Sequence, residues 1–156
     1  MAARTPSQTI GPFFHLGLRW PESGRVAFAE KGTPVVLTGR ITDGTGAAVD
    51  DALFETWQPE GFVRVETQPD GSFRIETTMP AGKSPSLGVS IFARGLLKPL
   101  RTRVYFSADA ARADPDLASI AGSPRLATLV AKAAGSGEYR WDVRLQGEGE
   151  TVFFAF

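Results

Sequence analysis

Few side chains in this sequence could bind a metal or carry out nucleophilic and acid–base chemistry. There is one imidazole, His15, there are two phenols, Tyr105 and Tyr139, and there is no cysteine. A Ser–His–Asp arrangement would have to draw on His15, which sits in a proline-rich stretch where nothing nearby fixes its tautomer. A packed or hydrogen-bonded arm residue is the better reading of that histidine. A transition-metal centre normally takes two or more imidazoles or thiolates, so one built by this chain alone is not expected. The lack of cysteine also removes disulfides and agrees with a reducing compartment.

Carboxylates do come together at Asp50-Asp51 and at Glu148 and Glu150. Both pairs lie in turn-like, glycine-rich surroundings, where solvation explains them better than acid–base catalysis. Gly44-Thr45-Gly46 and Gly147-Glu148-Gly149 fall between strand-like segments and open no helix, as a phosphate cradle would. Lys98, Arg101 and Arg103 read as a solvated strand end, a cluster too small to imply nucleic acid. Seventeen basic and 17 acidic residues cancel, which leaves no overall field to attract nucleic acid or an anionic membrane.

The elements that would position these groups are mostly strands. At 156 residues the chain fits one domain with a real core. Its first thirty residues are broken by Pro6, Gly11, Pro12, Gly17, Pro21 and Gly24, yet Phe13, Phe14, Leu16, Leu18 and Trp20 are too apolar for a solvated tail. Residues 1–30 are therefore an arm that packs on its own domain or on a neighbour, and 31–156 form a β-sandwich domain. From Pro34, Val35, Leu37, Gly39 and Ile41 alternate with Val36, Thr38, Arg40 and Thr42 before the turn Asp43-Gly44-Thr45-Gly46. Further strands are expected at Ala52–Gln58, Phe73–Thr77, Leu87–Arg94, Thr102–Phe106 and Tyr139–Leu145. A last one, Thr151–Phe156, is expected to be buried on both faces. Asp114-Pro115 and Ser123-Pro124 each place a cap before a proline at the first helical position. After Ser123, Leu126, Leu129, Val130 and Ala133 share a helical face, with Gly135 as the stop. The pattern argues an all-β, antiparallel sandwich with two short helices. No apolar run approaches the ~20 residues needed to cross a bilayer, and the N-terminus shows no signal-peptide core. A soluble, cytoplasmic protein is expected.

Longer strings resemble the intradiol ring-cleaving dioxygenases. Thr5-Pro6-Ser7-Gln8-Thr9-Ile10-Gly11-Pro12-Phe13 is similar to the opening of protocatechuate 3,4-dioxygenase subunits. Gly39 to Asp43 followed by Ala52 to Gln58 is similar to the family's strand-turn-strand core. Ser90 to Leu97, Thr102 to Phe106 and the closing Arg144 to Phe154 resemble the family's α-type chains. The similarity runs in order from Thr5 to Phe156.

That resemblance implies a chain that holds no metal itself. In this family the catalytic β subunit binds non-haem Fe(III) with two Tyr and two His, and dioxygen is inserted between the hydroxyl-bearing carbons of a catechol. The resemblance implies that Ser86 and Gly88 stand at the two His positions, and that Phe62, or another residue of the abbreviated stretch after Gln58, stands near where a ligand Tyr would be. The implied partner is a protocatechuate 3,4-dioxygenase β subunit in a higher αβ oligomer, converting 3,4-dihydroxybenzoate and O2 to 3-carboxy-cis,cis-muconate. The implied substrate-pocket residues are Arg94 with Thr9, Gly11, Pro12 and Phe13 of the arm. Strand alternation would put Ser86, Gly88, Ser90, Phe92 and Arg94 on one face. The competing expectation is a non-enzymatic, transthyretin-like binding module, which shares the strand–Asp-Gly–strand rhythm but gives no reason for the Thr-Pro-Ser-Gln-Thr arm. A single-chain enzyme acting on simple catechols is opposed by the shortage of histidine.

Overall fold

In the computed structural model, which describes residues 4–18, 32–59 and 61–155, two sheets face each other. The first has the order β4 (Ser72–Thr78), β1 (Pro34–Thr42), β8 (Glu138–Arg140), β7 (Lys132–Gly135), with β9 (Val143–Arg144) also pairing β1. The second runs β3 (Gly61–Glu66), β2 (Leu53–Gln58), β5 (Ser86–Phe92), β6 (Leu100–Tyr105) and is antiparallel throughout. The first sheet is mixed, because β8 and β9 run parallel to β1. Period-two alternation sets the core. Leu37 and Ile41 from β1, Ile75 from β4, Phe54 from β2, and Leu87 and Ile91 from β5 are all fully buried between the sheets.

Several elements depart from the sequence expectation. Gln58 pairs directly with Gly61, so the abbreviated stretch is a tight hairpin leading into β3, a strand with no alternation strong enough to announce it. The strand expected at Tyr139–Leu145 is split into β8 and β9. At the break the Trp141 N–H donates to the Thr38 carbonyl at 2.8 Å, which brings the Trp141 main chain close against Gly39 of β1. A Cβ at Gly39 would lie 1.8 Å from the Trp141 oxygen, so only glycine permits this close approach. Among the described residues 151–155 the closing strand is also absent. The Val152 N–H donates to Thr128 Oγ1 at 3.1 Å, and its carbonyl accepts from Thr102 Oγ1 at 2.7 Å. Side chains thus satisfy the main chain where a ladder was expected, and one bridge from Phe154 to Arg101 remains.

The two capped helices exist as 3₁₀ turns, Pro115–Ile120 and Pro124–Leu129, with Asp114 and Ser123 as N-caps. The second stops at Leu129, and Lys132–Gly135 becomes β7, so the helical face extended to Ala133 is wrong. A further helix, α2 (Ala108–Arg112), was not anticipated. These turns pack on the outer side of β6 through Tyr105, Leu117, Leu126 and Leu129 as a second, smaller core. On the arm, α1 spans Phe14–Leu18 and contains His15; Trp20 and the remainder up to residue 31 lie outside the described residues. Among the described residues, no helix is long and apolar enough to cross a membrane.

Candidate functional site at the arm and the end of strand β5

Thr9 ties the arm to the body. Thr9 Oγ1 accepts from the Gly95 N–H at 2.9 Å and donates to the Ala93 carbonyl at 3.2 Å. Those two residues flank Arg94. The chain turns here, with the Leu96 N–H donating to the Ala93 carbonyl at 3.1 Å and Gly95 at φ +88°. A positive φ at the third position of such a turn needs glycine, and Arg94 occupies the second, where its side chain projects outward. Residues Thr9 and Arg94, singled out from sequence and 85 positions apart, are therefore brought together.

Arg94 lies beyond the β5 ladder, which ends at Phe92. The in–out alternation nevertheless continues through Ala93, 2% exposed, to an exposed Arg94. Its Nε donates to Asp51 Oδ2, and that bond, with the charge behind it, raises the guanidinium further above its ordinary value. Asp51 is thus an ion-pair partner and not the merely solvated carboxylate expected. The signal was in the register. Leu53 pairs with Phe92, and two residues further out in each strand are Asp51 and Arg94.

Gly11, Pro12 and Phe13 are all exposed, Phe13 by 71%. A Cβ at Gly11 would meet nothing within 4 Å, so within this chain Gly11 serves no close approach. Leu16, on α1, is 75% exposed and Leu97, just past the Arg94 turn, 61%.

Ser86 and Gly88 lie on the outer face of the second sheet. One cross-strand row reads Phe62–Trp57–Gly88–Arg103, and the next reads Arg64–Glu55–Ser90–Arg101. The small residues of β5 between taller neighbours leave a groove of about 430 Å³, bounded by Trp57, Arg101, Arg103 and Phe154. Trp57 packs on Phe62 with ring centroids 4.4 Å apart, and Glu55 is held by Arg64 at 2.5 Å. Arg103 is not the solvated strand end expected. It binds Asp114 at 2.9 Å and Asp116 at 2.8 Å, and lies 5.2 Å over the Phe154 ring.

The donors on this face do not fit a ferric iron site. Ser86, Gly88 and Phe62 supply no imidazole or phenolate. Tyr105 is fully buried and donates to Asp114 Oδ2 at 2.6 Å; burial, then that bond, push its phenol up to about 12, away from the phenolate a metal needs. Burial also works against ionisation of Asp114. The Tyr105 hydroxyl, the Asp116 N–H and Arg103 together overcome it and hold the carboxyl below its ordinary range. Tyr139 is in the opposite sheet, edge-on to Phe106. Among the described residues, no three His, Cys, Asp or Glu groups are placed to hold a metal ion.

No protein-family model matches the chain. Proteins of known name are similar to it along nearly their whole length. The protocatechuate 3,4-dioxygenase alpha chain of Pseudomonas putida is 36% identical over 97% of this chain and 96% of its own. The protein of the same name from Burkholderia cepacia is 38% identical with the same coverage. The first alignment extends over 194 positions against 156 residues here, so that relative has segments this chain lacks. Among solved structures, the dioxygenase domain of a dioxygenase–carbohydrate-binding fusion from Streptomyces sp. SirexAA-E is 22% identical, covering 96% of this chain and all of that one, with a TM-score of 0.60. At that identity the likeness is one of fold.

Proposed function

Because the chain belongs to the protocatechuate 3,4-dioxygenase alpha-chain family, we propose that it completes, from its arm and the Arg94 turn, a substrate pocket whose ferric iron a β subunit holds. Intradiol opening of 3,4-dihydroxybenzoate by O2 to 3-carboxy-cis,cis-muconate is then the chemistry of the assembled enzyme, and the redox step belongs to the partner. The observation that carries the reading is the Thr9 clamp, which holds the arm against the two residues flanking Arg94.

The residues of this chain have separable roles in that pocket. Arg94 offers planar, paired donors suited to the ring carboxylate, which must face one way for the two hydroxyls to reach the metal. Thr9 sets where the arm leaves the body. Gly11, Pro12 and Phe13, exposed in the free chain, exclude water once a partner covers them. Arg94 lies six positions beyond Gly88, up to about 20 Å at ~3.3 Å per residue, and does not itself line the groove over Gly88, whose lining reaches Phe92. The transthyretin-like alternative is not favoured, since the similarity to alpha chains includes the arm.

The test is co-expression with the β chain. Arg94→Ala is expected to raise KM for protocatechuate by roughly an order of magnitude or more, with iron per β chain unchanged. An unaltered KM would remove Arg94 from the pocket. The chain expressed alone is expected to bind no stoichiometric iron and to consume no oxygen with a catechol; the opposite result would overturn the division of labour.

A further inference from the structure

We infer that Asp51 is a positioning residue for Arg94 and thereby contributes to the preference for a ring that bears a carboxylate. This rests on the reading that Arg94 meets that carboxylate. Three features of the structure carry it. First, Asp51 stands on fixed backbone. The next residue, Ala52, is fully buried, its N–H donates to Thr67 Oγ1 at 3.0 Å, and its carbonyl accepts from the Thr67 N–H at 2.9 Å and the Thr67 hydroxyl at 3.3 Å. Second, the exposure is lopsided. The side chain of Asp51 is 20% exposed and that of Arg94 57%, so the anchored carboxylate holds the more exposed guanidinium.

Third, the bond is made through Nε. A guanidinium has five N–H donors. Engaging the Nε–H leaves the edge formed by the two terminal nitrogens, the one able to give two parallel hydrogen bonds to a second carboxylate. A substrate carboxylate can therefore be received without displacing Asp51. Thr9 steadies the backbone on both sides of Arg94, and Asp51 steadies its side chain. Without Asp51, binding would have to freeze a long, exposed side chain. The charge of Asp51 acts in the opposite direction, because it weakens the attraction of Arg94 for an anion.

Two substitutions separate these effects in the assembled αβ enzyme. Asp51→Ala is expected to raise KM for protocatechuate about two- to tenfold, to leave kcat unchanged, and to leave KM unchanged for catechol, the same ring without its carboxylate. Asp51→Asn keeps an acceptor for Nε without the charge, and is expected to return KM for protocatechuate to the wild-type value or below. If Arg94→Ala raises KM while Asp51→Ala does not, the inference is overturned and the role of Arg94 stands. If Arg94→Ala itself leaves KM unchanged, the two fall together. A rise shared by protocatechuate and catechol also overturns the inference, since it marks a purely structural role. Should Asp51→Ala fail to assemble, Asp51→Asn decides: KM at or below wild type supports positioning, and a raised KM overturns it.

Discussion

Replacing Thr9 by valine keeps the branched shape of the side chain and deletes its hydroxyl, and with it both contacts that bind the arm to the Arg94 turn. Each hydrogen bond of this kind contributes about 0.5–1.5 kcal/mol net. Thr9 and Gly95 are both exposed, so water competes for the same groups and the low end applies. The pair together then contributes about 1 kcal/mol, or roughly a fivefold shift toward an undocked arm. Hydrogen exchange reads this directly, because an amide at a locally opening contact exchanges in proportion to the open population. The Gly95 amide should exchange about fivefold faster in Thr9→Val. Amides of the β1–β4 ladder, such as those of Leu37 and Ile75, should be unaffected and act as the internal control. In the assembled enzyme, KM for protocatechuate should rise by no more than the same factor, since Arg94 keeps its tie to Asp51. Gly95 exchange within twofold of wild type would refute the reasoning, because the clamp would then contribute no docking energy.

Two further substitutions probe the scaffold. Asp114→Ala strands the buried Tyr105 hydroxyl, removes one partner of Arg103 and deletes the N-cap of a 3₁₀ turn, for about 2–4 kcal/mol in urea unfolding at pH 7. Because Asp114 titrates below its ordinary range in the fold, its stabilisation is complete above the unfolded value of about 3.9 and is lost as pH falls through the folded one. The gap between wild type and Asp114→Ala should therefore narrow from pH 7 to pH 3, and a constant gap would contradict the network. Gly39→Ala drives a methyl into the Trp141 carbonyl and should cost about 2–3 kcal/mol. An unchanged urea midpoint would show that β1 and the β8–β9 break separate without penalty.

Alternation of apolar and polar residues was enough to place β1, β2, β4 and most of β5 and β6, because a half-buried strand must repeat every two residues. Asp-Pro and Ser-Pro marked two caps for the same local reason. The residue inventory, one His and no Cys, led to the expectation of no metal centre formed by this chain alone. What periodicity could not show was where main-chain groups find partners across the chain. Thr102 and Thr128 satisfy Val152, so the described residues 151–155 form no strand, and the close approach of Trp141 to Gly39 splits Tyr139–Leu145 in two. The union of Thr9 with the Arg94 turn, and of Asp51 with Arg94, likewise depends on register between segments distant in sequence. Local pattern reports which face of an element is apolar; only the packed chain decides which polar groups then meet.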